Sequence, residues 1–174
     1  MIWVSTIIFI AIGITIITLI LSSANPMISR MSDKNTIFRT KDLLSQLDGA
    51  VKEVVEEGPG SQRRIDLVSI EKGELYIEKM PLNYSIRWEM ETNTELMELG
   101  QEITEGNIHM LLNSTKIVGT NKIILWVESN KVTTNLTTDF TDGSGPFKGK
   151  YIFTIKHQGF DPAENRDIIG IEVN

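Results

Sequence analysis

The chain contains no cysteine and only two histidines among its 174 residues. The absence of cysteine excludes disulfide bonds, thiolate metal ligands and thiol catalysis, so an extracellular domain would have to be stable without cross-links. His109 and His157 do not form a His-x-x-x-His pair, and a lone histidine in a strand is usually a structural residue. We therefore expect no zinc site.

Basic residues are too few to offset the acidic ones. The chain has 17 lysines and arginines against 23 aspartates and glutamates, which gives a net charge of -6. A nucleic-acid-binding surface is normally basic, so we expect no nucleic-acid partner. The sequence also lacks the nucleophile-elbow motif of serine hydrolases. We expect neither an enzyme nor a bound cofactor.

Charge is missing from the N-terminal segment, residues 1–23, and the first charged residue is Arg30. At 1.5 Å per helical residue, ~22 residues reach ~33 Å, which is enough to cross the hydrocarbon core of a bilayer. No basic region precedes the segment and no small-residue cleavage site follows it, so we expect it to be retained rather than cut off as a secretory signal. It is either a plain membrane anchor or a helix that also packs against copies of itself in a filament.

Apolar side chains cover every side of this predicted helix, as a helix surrounded by identical copies requires. The residues expected to pack in a filament core are Ile2, Val4, Ile7, Ile8, Phe9, Ile10, Ile12, Gly13, Ile14, Ile16, Ile17, Leu19, Ile20 and Leu21. Gly13 permits close approach of a second helix. Interhelical hydrogen bonds are open to the hydroxyls of Ser5, Thr6, Thr15, Thr18, Ser22 and Ser23.

The basic residues that follow the apolar segment conflict with an external domain. Arg30, Lys34, Arg39 and Lys41 would place the downstream side in the cytoplasm if Met1 were the true start. A short basic leader, present ahead of Met1 and later removed, would resolve this conflict.

A second helical pattern is predicted over residues 27–57. Pro26 is expected to bend the helix between the two parts, because proline removes a helical hydrogen bond. The apolar positions of the second part follow a helical period, which predicts an amphipathic helix that covers the next domain. These positions are Ile37, Phe38, Leu43, Leu44, Leu47, Val51, Val54 and Val55. The helix should stop at Gly58-Pro59-Gly60.

Residues 61–174 change to a period of two, which is typical of strands. Residues 64–70 and 74–78 predict a hairpin with Gly73 in its turn, and 84–90 predicts a half-buried strand. Further strands are expected at 107–112, 122–128, 151–156 and 167–173, with 122–128 buried on both faces. Residues 133–149 are expected to form a long exposed loop or a hairpin tip. The fold class predicted is α+β: a long N-terminal helix, residues 1–57, followed by an antiparallel β-sandwich-like domain or a strongly curved sheet, residues 61–174.

Several residues admit a structural and a functional interpretation. Trp88 and Trp126 are interpreted as core residues, whereas Trp3 suits a membrane interface. The acidic residues between 92 and 105 would align on one face if this loop formed a short helix, and a solvated face is the expected meaning. The sequence over 139–145 lacks most ligands of a calcium loop, so we interpret it as a turn.

Three N-glycosylation sequons begin at Asn83, Asn113 and Asn135, all in the β half. Their confinement to the half expected to be outside the cell predicts N-linked glycans on at least one of them.

The first 80 residues or so resemble archaeal type IV pilin-like proteins, the group that includes adhesion pilins and is related to archaellins. Three features carry the resemblance: the run from Trp3 to Ile10, the direct passage from apolar to amphipathic helix, and the junction from Glu57 to Arg63. The junction leads into Ile65-Asp66-Leu67 and the segment from Lys72 to Ile77. The chain departs from many bacterial pilins in having Ser5 and Thr6 but no glutamate near its start.

The resemblance implies a prepilin peptidase that removes a short leader, an assembly platform, and polymerisation with helices inward and β domains outward. It thus implies a subunit of an extracellular filament on the cell surface, inserted in the cytoplasmic membrane before assembly and serving adhesion or surface contact. A minor pilin is a variant of this hypothesis. The alternative is a membrane-anchored extracellular β domain that binds carbohydrate or a partner protein.

Overall fold

The computed structural model describes residues 2–79, 84–128, 134–138, 144–163 and 165–174. The predicted fold class is confirmed, because one long helix precedes a largely antiparallel β domain. The elements are α1 (Ile2–Glu57), β1 (Gln62–Lys79), β2 (Tyr84–Thr92), β3 (Glu102–Glu105), β4 (Ile108–Ser114), β5 (Asn121–Glu128), β6 (Thr134–Thr138), β7 (Ser144–Asp161) and β8 (Arg166–Val173).

The strands form one eight-stranded sheet in the order β3-β4-β5-β2-β1-β7-β8-β6, with every pair antiparallel except β6 and β8. Of the two arrangements expected, a sandwich-like domain or one curved sheet, the strands form one open sheet. The reason lies in two long strands of 18 residues each. β1 pairs with β7 from Gln62 onward and with β2 from Glu74 onward, so this one strand joins the two halves of the sheet, with shifts of register along its pairing with β7.

The hairpin predicted within residues 64–78 is wrong, because these residues belong to the single strand β1. Gly73 lies at a β-bulge where the register of β1 against β7 shifts between Ile70 and Leu75. Its φ is +80°, and a Cβ at this position would stand 2.6 Å from the indole ring of Trp88 and 2.5 Å from the carbonyl oxygen of Glu89. The glycine therefore marks a close packing contact within a strand and not a turn.

The core forms between one face of the sheet and the C-terminal part of α1. The helix contributes the buried residues Ile37, Leu44, Leu47, Ala50, Val51 and Val54. Leu43 and Val55 pack against them while partly exposed. Phe38 is corrected from a core position to an outward one, since 62% of its surface is exposed. It lies beside the buried stripe, where the ammonium of Lys41 approaches its ring at 5.8 Å.

β5 buries one face, not both. Ile123, Leu125 and Val127 are buried, whereas Trp126 is half-buried on the opposite face of the sheet. The interpretation of Trp126 as a core residue is therefore wrong. Trp88 is confirmed in the core, with 1% of its surface exposed. The two tryptophans lie on opposite faces because β2 and β5 pair Trp88 with Leu125.

The acidic segment and the long polar loop also differ from their predictions. Glu102–Glu105 forms the edge strand β3, paired with β4, and the described residues from 93 to 101 contain no helix. The loop expected over 133–149 instead contains β6 and the start of β7. Strand pairing with β8 and β1 supplies hydrogen bonds that the polar sequence alone did not indicate.

The helix ends at Glu57, where side chains and a glycine satisfy its last carbonyls. The amide of Gly58, whose φ is +84°, donates to the carbonyl of Val54 at 3.2 Å. The hydroxyl of Ser61 donates to the same carbonyl at 2.9 Å. Arg63 pairs with Glu57 and, at 2.9 Å, with Glu53, which holds the start of β1 against the helix end.

Candidate functional site

The outstanding surface of the molecule is the N-terminal part of α1, which the described part of the chain leaves exposed. Among the described side chains ahead of Asp33, none is buried. An 18-residue window of this part has a mean hydropathy of 2.7, and none of the window is buried inside the protein. The part of the helix beyond the domain is ~30 residues and therefore ~45 Å long. By length and composition the helix can cross a membrane, as a retained span or a signal sequence would.

The residues expected to pack in a filament core lie on this projecting part. Those with more than half of their surface exposed are Val4, Ile7, Ile8, Phe9, Ile10, Ile12, Ile14, Ile16, Ile17, Leu19, Ile20 and Leu21. Trp3 is also exposed, at 82%. A contiguous apolar surface of this extent needs lipid or protein to cover it.

The space around Gly13 is open, and three hydroxyls of this helix bond to its own backbone. A Cβ at Gly13 would meet nothing within 4 Å. Thr15 and Thr18 donate at 2.8 Å to the carbonyls four residues earlier, and Ser22 donates at 2.9 Å to the carbonyl of Leu19. Within a single chain these hydroxyl protons are therefore used inside the helix, and their oxygens remain as acceptors.

The helix continues through Pro26 as one element. The bend predicted at Pro26 stays a prediction, because only the continuity of the backbone helix is described there.

Asp33 is the first buried residue among the described side chains of α1, and it anchors the helix to the sheet where the helix leaves the domain. Its carboxylate accepts hydrogen bonds from Lys72 Nζ at 2.8 Å, from Thr92 Oγ1 at 2.7 Å and from Thr94 Oγ1 at 3.1 Å. Only 6% of its surface is exposed. A buried carboxylate with three donors is held in one position, so it fixes where the helix begins to project.

The electrostatics of Asp33 favour its ionised form. Burial by itself raises the pKa of the carboxyl. The hydrogen bonds from Lys72, Thr92 and Thr94, together with the Lys72 charge, outweigh burial and lower the pKa below its ordinary value of 3.8. Asp33 lies ten residues past the charge-free segment, outside any membrane core.

Three further contacts fix the helix along the sheet. Lys41 forms an ion pair with Glu105 of the edge strand β3. Asp48 accepts hydrogen bonds from the amide of Asn107 at 3.1 and 3.3 Å. Arg39 lies 3.6 Å from Glu71, with both side chains mostly exposed. Together with the buried apolar stripe of α1, these contacts hold the helix against the sheet.

Sequence reasoning missed a row of planar side chains on the solvent face of the sheet. Strand register aligns His109, Trp126, Arg87 and Tyr76 across β4, β5, β2 and β1. The rings of His109 and Trp126 stack at 5.2 Å with planes 15° apart. The guanidinium of Arg87 lies 4.8 Å from the ring centre of Tyr76. Period-two alternation predicts that each of these residues lies on the face of its strand away from the core. That they form one row follows only from the pairing of strands distant in the sequence.

Three side chains of this planar row each contact a carboxylate from the next row of residues along the strands. Glu102 lies 2.8 Å from His109 Nδ1, and Glu89 accepts from Arg87 at 2.5 Å. Tyr76 donates to Glu74, which raises the pKa of the tyrosine to about 12. The stacking of His109 on Trp126 and of Arg87 on Tyr76 joins neighbouring strands, so the row stabilises the sheet.

His157 is buried at the opposite end of the domain from Asp33. Its Nε2 lies 3.3 Å from Asp167, and its Nδ1 accepts the amide of Gly159 at 3.2 Å. Its backbone amide donates to Ser61 and its carbonyl accepts from Gly60. The histidine therefore closes the junction between helix and sheet, in line with the structural interpretation.

The remaining predicted sites are placed only in part. Asn113 lies half-buried in β4, and Asn135 lies in β6. Asn83 lies outside the described residues, as does most of the turn over 139–145. In the part of the chain that the structure describes, no group of three histidine, aspartate or glutamate residues is arranged to hold a metal.

A groove of about 600 Å³ separates α1 from the first half of β1. Polar side chains dominate its walls, among them Asn35, Thr36, Arg39, Gln46 and Ser69.

Comparison with known proteins gives no match to a family model, to a curated protein or to a solved structure. The exposed helix and the geometry of its attachment therefore carry the functional argument.

Proposed function

We propose that the chain is a structural subunit of an extracellular filament, a type IV pilin-like protein that polymerises through its N-terminal helices. The observation that supports this most is the apolar helix that projects from the domain with every described face exposed. A membrane span and a filament core make the same demand on such a helix, namely complete cover by apolar surroundings. In this proposal the helix first spans the membrane and later packs in the filament core.

Assembly requires that neighbouring helices cover the apolar surface that lipid covered before, and the composition of the helix meets this requirement. Moving ~22 apolar residues out of lipid costs tens of kcal/mol at ~25 cal/mol per Å² of apolar surface, so neighbouring helices must cover nearly the same area. Apolar residues occupy all sides of the helix between Val4 and Leu21, so each subunit offers this area to several neighbours. Contacts between unlike surfaces of identical subunits produce an open-ended polymer when the rotation from one subunit to the next does not close a ring.

The rigid attachment of the helix also supports the proposal. Asp33, Lys41 and Asp48 fix the helix against the sheet through contacts with Lys72, Glu105 and Asn107. A subunit whose domain keeps one orientation relative to its helix adds to a helical array with a constant rotation and rise. A flexible tether would serve an isolated membrane anchor equally well, but it would not set filament symmetry.

The membrane stage precedes assembly in this proposal. A prepilin peptidase would remove a basic leader ahead of the apolar segment, and an assembly platform would then transfer the subunit from the cytoplasmic membrane to the filament. The domain would end outside the cell, where Asn83, Asn113 and Asn135 are candidate glycan acceptors. Adhesion or surface contact would be the task of the assembled filament, as a major or a minor pilin.

The test separates filament assembly from membrane insertion by changing Gly13 to leucine. G13L keeps the segment apolar, and the space around Gly13 accommodates the side chain within the monomer. It blocks close approach of a second helix. We expect G13L to remain in the membrane fraction while the amount of chain in the sheared extracellular fraction falls, measured by quantitative immunoblot and negative-stain microscopy.

Ile12→Leu is the matched control, since it changes a neighbouring exposed side chain without adding bulk at a small position. It should shed filaments at the unmodified level. If the unmodified chain never enters the sheared fraction and stays in lipid, the membrane-anchored ectodomain is the correct function and the filament is excluded.

A further inference from the structure

The turn between β4 and β5 carries an exposed apolar pair. Ile117 and Val118 are 62% and 102% exposed. The turn is nevertheless ordered by hydrogen bonds: the amides of Thr115 and Thr120 donate to the carbonyls of Thr120 and Ile117, both at 3.1 Å. The hydroxyl of Thr115 donates to the carbonyl of Thr120 at 2.7 Å. We call Lys116–Gly119 the apolar tip.

The apolar tip lies at the end of the domain from which α1 projects. Thr120 at its base donates to the side-chain carbonyl of Asn93 at 3.3 Å. The residue before Asn93, Thr92, pairs with Asn121 across the sheet and donates to the carboxylate of Asp33 at 2.7 Å. The tip and the helix therefore leave the domain side by side.

Two contacts show that the β4–β5 hairpin runs along the helix axis. At one end of the hairpin, the side-chain amide of Asn107 donates to Asp48. At the other end, Thr92 donates to Asp33. Thr92 and Ser114 lie at the same level of the sheet, because both pair with Asn121 of β5. The helical path from Asp48 to Asp33 is about 22 Å at 1.5 Å per residue. The strand path from Asn107 to Ser114 is about 23 Å at 3.3 Å per residue. The similar lengths of the two paths indicate that the hairpin and the helix run along each other over this distance.

The reach of the apolar tip follows from this alignment. Val118 lies at most about 10 Å beyond Ser114, which brings it level with Met27 of the helix. The charge-free apolar segment ends at Ser23, about 6 Å further along the helix. The headgroup layer on each side of a bilayer is about 5–7 Å thick, so the tip reaches into that layer when the segment fills the hydrocarbon core.

We propose that the apolar tip is a membrane-contact site: Ile117 and Val118 insert among the headgroups of the lipid surface that holds the apolar helix. The inference rests on the membrane stage of the proposed function. A helix face at about this level is apolar as well, since Met27, Ile28 and Met31 are exposed at 63–66%. The tip and this face give the domain two separate contacts with the bilayer.

Burial of apolar side chains, not charge, drives this contact. Arg30 and Lys116 lie at this end of the domain, but Glu95 and Glu98 border the same cavity as Arg30. The mixed charge predicts contact with a zwitterionic lipid surface as well as an anionic one. Two attachment points keep the domain upright, so that subunits in the membrane present the same surfaces to a growing filament.

The experiment places a single environment-sensitive fluorophore on the full chain, which is possible because the chain has no cysteine. Val118→Cys, labelled with a nitrobenzoxadiazole dye, reports the tip. Ala163→Cys reports the β7–β8 turn, which lies beyond His157 at the opposite end of the domain. Ile10→Cys reports the apolar helix. Each labelled chain is reconstituted at one copy per phosphatidylcholine nanodisc, with and without nitroxide on the lipid headgroup.

We expect the label at 118 to show blue-shifted emission and severalfold stronger quenching by headgroup nitroxide than the label at 163. A label at 10 that is shielded from aqueous quencher while the label at 118 behaves like that at 163 overturns the inference and leaves the proposed function intact. A water-exposed label at 10 overturns both. Protection at 118 that appears only with several copies per nanodisc identifies a second copy, not lipid, as the partner and also overturns the inference.

Discussion

The carboxylate of Asp33 lies 2.8 Å from the ammonium nitrogen of Lys72, and this ion pair joins the helix to the bulge of β1. Asp33 is the buried partner, whereas the Lys72 side chain is half exposed. The same carboxylate accepts from two threonines at the end of β2. One residue thus connects the helix with two central strands at the point where the helix leaves the domain.

Replacing Asp33 with alanine should destabilise the domain by about 2–3 kcal/mol, because hydrogen bonds to a charged group are lost and polar partners lose their acceptor. The measurement is chemical denaturation of the full chain in detergent, followed by tryptophan fluorescence. Asp42→Ala removes an exposed carboxylate from the same helix and should change stability little. Equal effects of the two substitutions would show that the Asp33 contacts do not stabilise the fold.

The same carboxylate should make stability depend on acid pH. Because the pKa of Asp33 is lowered in the folded state, its contribution is fully present above the ordinary value of 3.8 and is lost as pH falls toward the folded value. The Asp33→Asn variant lacks this titration. Denaturation midpoints measured from pH 6 down to pH 3 should therefore converge for the two chains at the acid end. A constant difference across this range would contradict the lowered pKa.

Gly73→Ala should cost more stability than Gly60→Ala. Both glycines have positive φ, at +80° and +91°, so both substitutions strain the backbone. Only at Gly73 would the new Cβ also meet the ring of Trp88 and the backbone of Glu89. We expect a difference of at least about 1 kcal/mol in the free energy of unfolding. Equal losses would mean that β1 and β2 separate without cost at the bulge.

Trp88→Ala should destabilise the domain by about 3–5 kcal/mol as a core truncation, and Trp126→Ala by about 1 kcal/mol as a loss of cross-strand stacking. Trp88 is buried and donates to the carbonyl of Lys72 at 3.0 Å, whereas Trp126 is half-buried beside His109. Thermal unfolding of both variants compares them directly. A larger loss for Trp126 would reverse the assignment of the two sheet faces.

The sequence predicted the parts of the fold that depend on local pattern. Helical periodicity placed Leu44, Leu47 and Val54 on the buried face, and the glycines after Glu57 marked the helix end. The uncharged segment identified the surface on which the functional proposal depends. Each of these signals needs only neighbouring residues to be recognised.

The errors arose where distant strands decide the outcome. Gly73 occurs in turns and in bulges alike, and only the packing of Trp88 against it makes the bulge necessary. Trp126 has a residue type typical of cores, yet its register with His109 places it on the solvent face. The anchoring role of Asp33 was likewise missed, since its partners Lys72 and Thr92 lie far along the chain. Pairwise contacts between remote segments are not encoded in local periodicity.

The most direct test of the central claim is cryo-electron microscopy of the native material that carries this chain outside the cell, with the surroundings of residues 3–21 determined. We predict a helical polymer in which these side chains are covered by the same segment of neighbouring subunits and the β domains face outward. A chain found only as single copies, with this segment covered by lipid, would contradict the account.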